Sequence, residues 1–173
     1  SDVEEALAVA SRIGEWVGVI GCSTGCTLMT LALASGAGVA GVVHVSPNFG
    51  LAHRAAQMLL DLPGARHWAK YIAGRTRSFP SMNDNHAAFW TLSYPTTAIH
   101  VMADAVRAAR KASLESISVP ALFCYNDADQ VVDAKRITQA AESWGGPVDK
   151  IKLWQTPDDD PMGHVMAGDI LSP

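Results

Sequence analysis

The sequence predicts an α/β protein, a doubly wound parallel sheet flanked by helices with a helical segment inserted between its two halves. Three observations predict it. Short apolar runs alternate with helix-period runs as strand, helix, strand on both sides of a long middle segment, the pattern of parallel strands buried on both faces. The chain is 49% hydrophobic and 17% charged over 173 residues, enough for one packed core and too apolar for disorder. Finally, one change from strand period to helix period falls on a serine between two glycines, in Gly21-Cys22-Ser23-Thr24-Gly25.

Taken in order, residues 2–14 have the spacing of an amphipathic helix, with Val3, Leu7, Ala10 and Ile13 on one face. Residues 16–22 (WVGVIGC) form a short apolar strand, and 24–35, rich in Leu, Met and Ala, a helix closed by Gly36 and Gly38. Residues 39–46 (VAGVVHVS) make a second buried strand, stopped by Pro47. From Phe49 to Ser118 no strand is expected. That segment holds Trp68, Tyr71, Phe79, Phe89, Trp90 and Tyr94, with helices over 51–61 and over 96–112, the latter started by Thr96 or Thr97 after Pro95. A segment of this length with helices of its own is an inserted cap rather than a loop. A strand over 117–125, a helix over 133–144 with Asp133 as its N-cap, and a strand over 149–154 complete the set. The domain reading is therefore core (1–48), helical cap (49–118) and core again (119–173).

The net charge of −4 and pI near 5.8 argue against nucleic acid or an anionic membrane surface as partner, because both need a basic face. Cys22, Cys26 and Cys124 form no CxxC pair, so neither zinc nor a disulfide framework is expected. Buried thiols in a reducing compartment, the cytoplasm by default, are the plain reading. The apolar run from Val17 to Ala34 is broken by glycines, serine and threonines, so no membrane span is expected. Asp158, Asp159 and Asp160 look like a metal cluster, but three consecutive side chains cannot converge on one ion, and a solvated loop is expected. No cofactor is called for.

Glycine, any residue, serine, any residue, glycine between strand and helix is the pattern of a sharp turn that lifts a serine hydroxyl clear of a sheet. Glycines on either side leave room where a Cβ would collide. The turn also aims the first helical amides, beginning with Thr24 N–H, at an oxyanion beside Ser23. A serine nucleophile needs a base, and the base an orienting acid. The loop after the 117–125 strand offers Asp127 and Asp129. Asp129, followed by Gln130-Val131-Val132, has the better position, whereas Asp127 suits the capping of the turn. The loop after the last strand offers His164, the one histidine of six that follows the acid where such a site needs it. His44 lies within an apolar strand and reads as a satisfied core residue. His53, His67, His86 and His100 lie in the cap.

With "GCSTG", "NDADQVVD" and "GHVMAGD" in that order, the sequence resembles the α/β-hydrolase superfamily, most of all its capped esterase, lipase and serine-aminopeptidase-like branch. The resemblance implies acyl transfer through an acyl-serine, with Ser23, Asp129 and His164 as the catalytic set and the cap shaping the acyl pocket. It also places Asn48 of "VSPNF" among the residues lining the site. The favoured activity is hydrolysis of small acyl esters or acylglycerols. Peptidase or thioesterase chemistry on the same fold is an alternative, and so is a ligand-binding relic without turnover. Family members begin with further strands and a second oxyanion donor upstream of the serine turn. The expectation is therefore that this chain is the later part of the fold, completed in the same or a second polypeptide.

Overall fold

The computed structural model describes residues 2–62 and 74–172. Its centre is a four-stranded, wholly parallel sheet in the order β1-β2-β5-β6, formed by β1 (Gly18–Cys22), β2 (Gly41–Val45), β5 (Ala121–Tyr125) and β6 (Val148–Lys152). Between β1 and β2 runs α2 (Thr24–Ala34), and between β5 and β6 runs α6 (Ala134–Glu142). Each is the helical crossover that a parallel strand pair requires. The side chains explain the strand order. β2 and β5 carry the alternately buried residues Val42, His44, Ala121, Phe123 and Tyr125 and lie inside the sheet, while β1 and β6 are more exposed and lie outside.

The core gathers Met29 and Leu33 of α2, Val42 and Phe123 of the sheet, Ile137, Ala140 and Ala141 of α6, and Trp144. Phe123 and Ile137 are wholly buried, and Trp144 is held by its indole N–H donating to Val119 O at 2.7 Å. Burying one large apolar side chain contributes roughly 1.5–3 kcal/mol, so this cluster ties α6 and α2 to one face of the sheet.

The segment between β2 and β5 differs from the strandless expectation. It contains α3 (Arg54–Asp61), α4 (Asp84–Phe89) and α5 (Thr97–Lys111), but also an antiparallel pair, β3 (Thr76–Ser78) and β4 (Ser93–Pro95). Three-residue strands are too short to display a period of two, so the sequence carries no signal for them. The Ser78 and Ser93 hydroxyls meet at 2.9 Å across the pair, and Phe79 contacts Tyr94 and His86 ring to ring. His67, Trp68 and Tyr71 fall outside the described residues. A second difference lies in α1 (Asp2–Ile13), which forms where expected but buries no residue; Ile13, on its supposed core face, is 82% exposed.

Every strand of the main sheet runs in the same direction, so all four C-terminal ends open at one edge. That edge is where open α/β sheets bind ligands. Ser23 follows β1, Asn48 follows β2, Asp129 follows β5 and His164 follows β6.

Candidate active site

The Ser23 turn is built from its neighbours. Ser23 adopts φ 49° and ψ −119°, a conformation that a residue with a side chain adopts only when the surroundings hold it. What holds it is a set of backbone bonds: Ser23 N–H donates to Val45 O at 2.9 Å, and Ser23 O accepts from Cys26 N and Asn48 N at 3.1 Å each. Thr27 Oγ1 donates to Asn48 O at 2.6 Å, fixing α2 to the residues that follow β2. The two glycines have unequal reasons. A Cβ at Gly21 would stand 3.1 Å from Cys26 N and 3.2 Å from Cys26 Cα, tighter than an ordinary contact, so a side chain there would have to push α2 back by a few tenths of an ångström. Around Gly25, apart from its chain neighbours and the backbone of its own helix, no described atom comes within 4 Å of a Cβ, and the expectation of crowding there is not met.

Ser23 occupies the N-cap position of α2, yet its hydroxyl makes no capping bond. It meets His164 Nε2 at 2.9 Å instead, and His164 Nδ1 meets Asp129 Oδ2 at 2.8 Å. The Asp129 side chain is 1% exposed and the His164 side chain 11%. A buried carboxylate can only accept, so Nδ1 carries the ring proton and Nε2 is free to accept from the serine hydroxyl. Thr24 is the first residue of α2, so its amide has no acceptor four residues earlier in the helix and is available beside Ser23.

Asp129 is fixed by its other oxygen. Oδ1 accepts from Val131 N at 2.7 Å and from Val132 N at 2.9 Å, which leaves Oδ2 for the imidazole. Val132 is wholly buried and anchors the turn. The turn-capping part expected of Asp127 is played by Asn126, whose Oδ1 accepts from Ala128 N at 2.9 Å. Asp127 is exposed and pairs with Lys152 Nζ at 2.8 Å. The Asp127 carboxylate accordingly raises the Lys152 pKa.

The His164 loop is stitched to the Asp129 loop. Gln130 N–H donates to Met162 O at 2.9 Å, Gln130 Nε2 to Pro161 O at 3.0 Å, and Asn126 Nδ2 to Gly163 O at 3.2 Å. Gly163 has φ 63°, and a Cβ there would lie 2.7 Å from Asn126 Nδ2, so glycine is required where the two loops touch. Asn126, Gln130 and Gly163 are supports that the sequence reading missed.

The aspartate run also departs from expectation. Asp158 is exposed, but Asp160 is 7% exposed, and its carboxylate accepts backbone N–H groups of its own loop. A solvated loop is the expectation, because three consecutive side chains cannot converge on one ion. What overrides that expectation is the supply of three backbone donors within five residues, enough to satisfy a buried carboxylate. Among the described residues no His, Cys, Asp and Glu cluster is arranged to hold a metal.

Asn48 is 3% exposed. Its Nδ2 donates to Thr24 Oγ1 and to Met102 Sδ, both at 3.3 Å, and its Oδ1 accepts from Gly50 N at 3.2 Å. It therefore braces the start of α2 against α5, with its amide group committed to the protein. His44 is fully buried as expected, but it is not satisfied: neither ring nitrogen has a partner, and the ring stacks on Phe123 at 4.5 Å. Burial lowers its pKa from 6.5 to about 4. His53 and His86 serve locally. His53 Nδ1 caps α3 by accepting from Ala56 N, and His86 Nδ1 accepts from Met82 N. Of the three free thiols Cys26 is buried and raised by burial to about 12, while Cys22, beside Ser23, is exposed rather than buried.

Two grooves of about 230 and 530 Å³ share Arg136 and Gln139, and neither is lined by Ser23, Asp129 or His164. No described helix is long and apolar enough to cross a membrane.

No family model matches the chain, and no curated protein matches it. Solved structures do resemble it. A metagenome-derived lipolytic enzyme described with LipS and LipT is 15% identical with a TM-score of 0.68, covering 88% of this chain and 61% of that one. The monoacylglycerol lipase of Paleococcus ferrophilus is 18% identical with a TM-score of 0.59, over 87% of this chain and 65% of that one. Mouse alpha/beta hydrolase domain-containing protein 10 is 18% identical with a TM-score of 0.51, over 88% and 58%. The chain thus spans less than two thirds of the length of each of these three. A parallel sheet in this order, with the Ser23, Asp129 and His164 loops at its C-terminal edge, and these neighbours together identify the architecture: the chain carries an α/β-hydrolase fold.

Proposed function

We propose that this protein is a serine hydrolase of carboxylic esters, of the small acyl ester or acylglycerol type. The observation that carries the reading is the continuous hydrogen-bonded line from Ser23 Oγ through His164 to Asp129, at 2.9 and 2.8 Å. In the proposed reaction, His164 Nε2 takes the Ser23 proton as Oγ attacks the ester carbonyl. Asp129 stabilises the imidazolium, and the tetrahedral oxyanion forms beside Thr24 N–H. Collapse expels the alcohol, protonated by His164, and leaves an acyl-serine. Water, deprotonated by the same imidazole, then attacks the acyl carbon and releases the acid and free Ser23.

The similarity to a lipolytic enzyme and a monoacylglycerol lipase supports an ester substrate over a peptide. Residues 49–118 are proposed as the cap. The exposed apolar side chains Met82, Phe89 and Trp90 within them favour an apolar acyl group. The test is turnover of a p-nitrophenyl ester by the protein and by Ser23→Ala. The reading expects a loss of about 10⁴-fold or more. An ester that binds but is not turned over by the unaltered protein would instead indicate a ligand-binding relic.

A further inference from the structure

The loop that carries His164 is wound around one buried carboxylate. Asp160 Oδ2 accepts from His164 N at 3.1 Å and from Val165 N at 2.9 Å, and Oδ1 accepts from Met162 N at 3.0 Å. The main chain of Asp160 is held as well. Its carbonyl accepts from Gly163 N at 2.8 Å and from Gln155 Nε2 at 2.7 Å, and its N–H donates to Ser172 Oγ at 3.1 Å. The Ser172 hydroxyl in turn donates to Val165 O. Residues 160–165 thus form a closed knot in which the carboxylate grips the backbone amide of the residue whose ring faces Ser23.

We infer that Asp160 is a positioning residue: it sets the backbone of His164 so that the imidazole spans Asp129 and Ser23. The inference rests on the reading of Ser23 and His164 proposed above. The physical argument concerns rigidity. His164 has only two side-chain torsions, so its ring nitrogens reach both partners only if its Cα and backbone orientation are fixed. Glycine at 163 cannot fix them, because its own conformational freedom is large. The carboxylate supplies the constraint: charge-assisted bonds to N–H groups are roughly twice as strong as neutral ones, and here two of them bracket the His164 Cα. A displacement of about 1 Å at a reacting group costs on the order of a hundredfold in rate.

The experiment compares Asp160→Ala, Asp160→Asn and Ser172→Ala with the unaltered protein. Ester turnover is normalised to Ser23 titrated with a fluorophosphonate, and the His164 Nδ1–H resonance is followed by proton NMR. Asp160→Ala is expected to lower kcat about a hundredfold with KM little changed, and to broaden the Nδ1–H resonance. Asp160→Asn, which keeps one acceptor oxygen, is expected to recover part of kcat and the resonance. Ser172→Ala should give a smaller loss in the same direction.

Variants that melt earlier but keep the unaltered kcat and the sharp resonance would overturn the inference, leaving Asp160 a loop anchor only. If Asp160→Ala fails to fold, Asp160→Asn and Ser172→Ala decide by the same two readouts. Ser23→Ala with undiminished turnover would instead sink the Ser23 reading. The resonance of His164 would still report in that case whether Asp160 holds the ring.

Discussion

At the residue scale the proposed chemistry depends on which aspartate faces the imidazole. Asp129 is buried, spends one oxygen on Val131 N and Val132 N and offers the other to His164, whereas Asp127 is an exposed partner of Lys152. Asp129→Asn is expected to lower kcat by about 10⁴-fold, the order of loss when the orienting carboxylate of a serine triad is neutralised, with the fold retained. Asp127→Asn should leave kcat unchanged; steady-state kinetics on the pair distinguishes them. His44 predicts a pH dependence of stability. Its pKa falls from 6.5 to about 4 on burial, so the unfolded chain binds the proton first. Stability from this site is complete above pH 6.5 and lost as pH falls toward 4. His44→Phe, apolar and matched to the stack on Phe123, should flatten that part of a melting-temperature profile between neutral and acid pH. Identities were the legible part at this scale. Ser23, Asp129 and His164 were singled out by motif and chain order, and the structure brings their side chains within hydrogen-bond distance of one another; nucleophile, base and orienter are the roles proposed for them. Asp160 was not legible, because whether a carboxylate faces water or three amides depends on a loop path that no period encodes.

At the scale of elements, strands of five residues and helices of nine or more left their periods in the sequence and formed close to where those periods put them. β3 and β4, at three residues, left none, and the apolar spacing of α1 did not reveal that its face would stay unburied. Three glycines test how the Ser23 and His164 turns are built. Gly21→Ala would press a methyl to 3.1 Å from the backbone of Cys26 and is expected to lower stability, with a fall in turnover. Gly163→Ala combines a positive φ with a 2.7 Å approach to Asn126 Nδ2 and should part the His164 loop from the Asp129 loop, lowering kcat more than melting temperature. Gly25→Ala meets no described atom beyond its chain neighbours and its own helix and lies in the first turn of α2, so it should be neutral or stabilising by about 0.4–1 kcal/mol. Thermal melts and kcat measured together on the three variants check the set. Equal damage at Gly21 and Gly25 would contradict the asymmetry.

At the scale of the whole molecule, a parallel sheet collects its loops at one edge, and that convergence brings side chains 141 residues apart in sequence to within 2.9 Å. β1 lies at the margin of the described sheet with Ile20 77% exposed, and Trp16 just before it is 82% exposed. The central claim is that the hydroxyl at the margin of this sheet is a nucleophile made reactive by His164. Fluorophosphonate labelling followed by peptide mass spectrometry tests it most directly, since an ordinary serine has nothing to take up its proton. The account predicts a single labelled residue, Ser23, and labelling that disappears in Ser23→Ala and slows by orders of magnitude in His164→Ala. Label on another residue, or label that persists in Ser23→Ala, would contradict it.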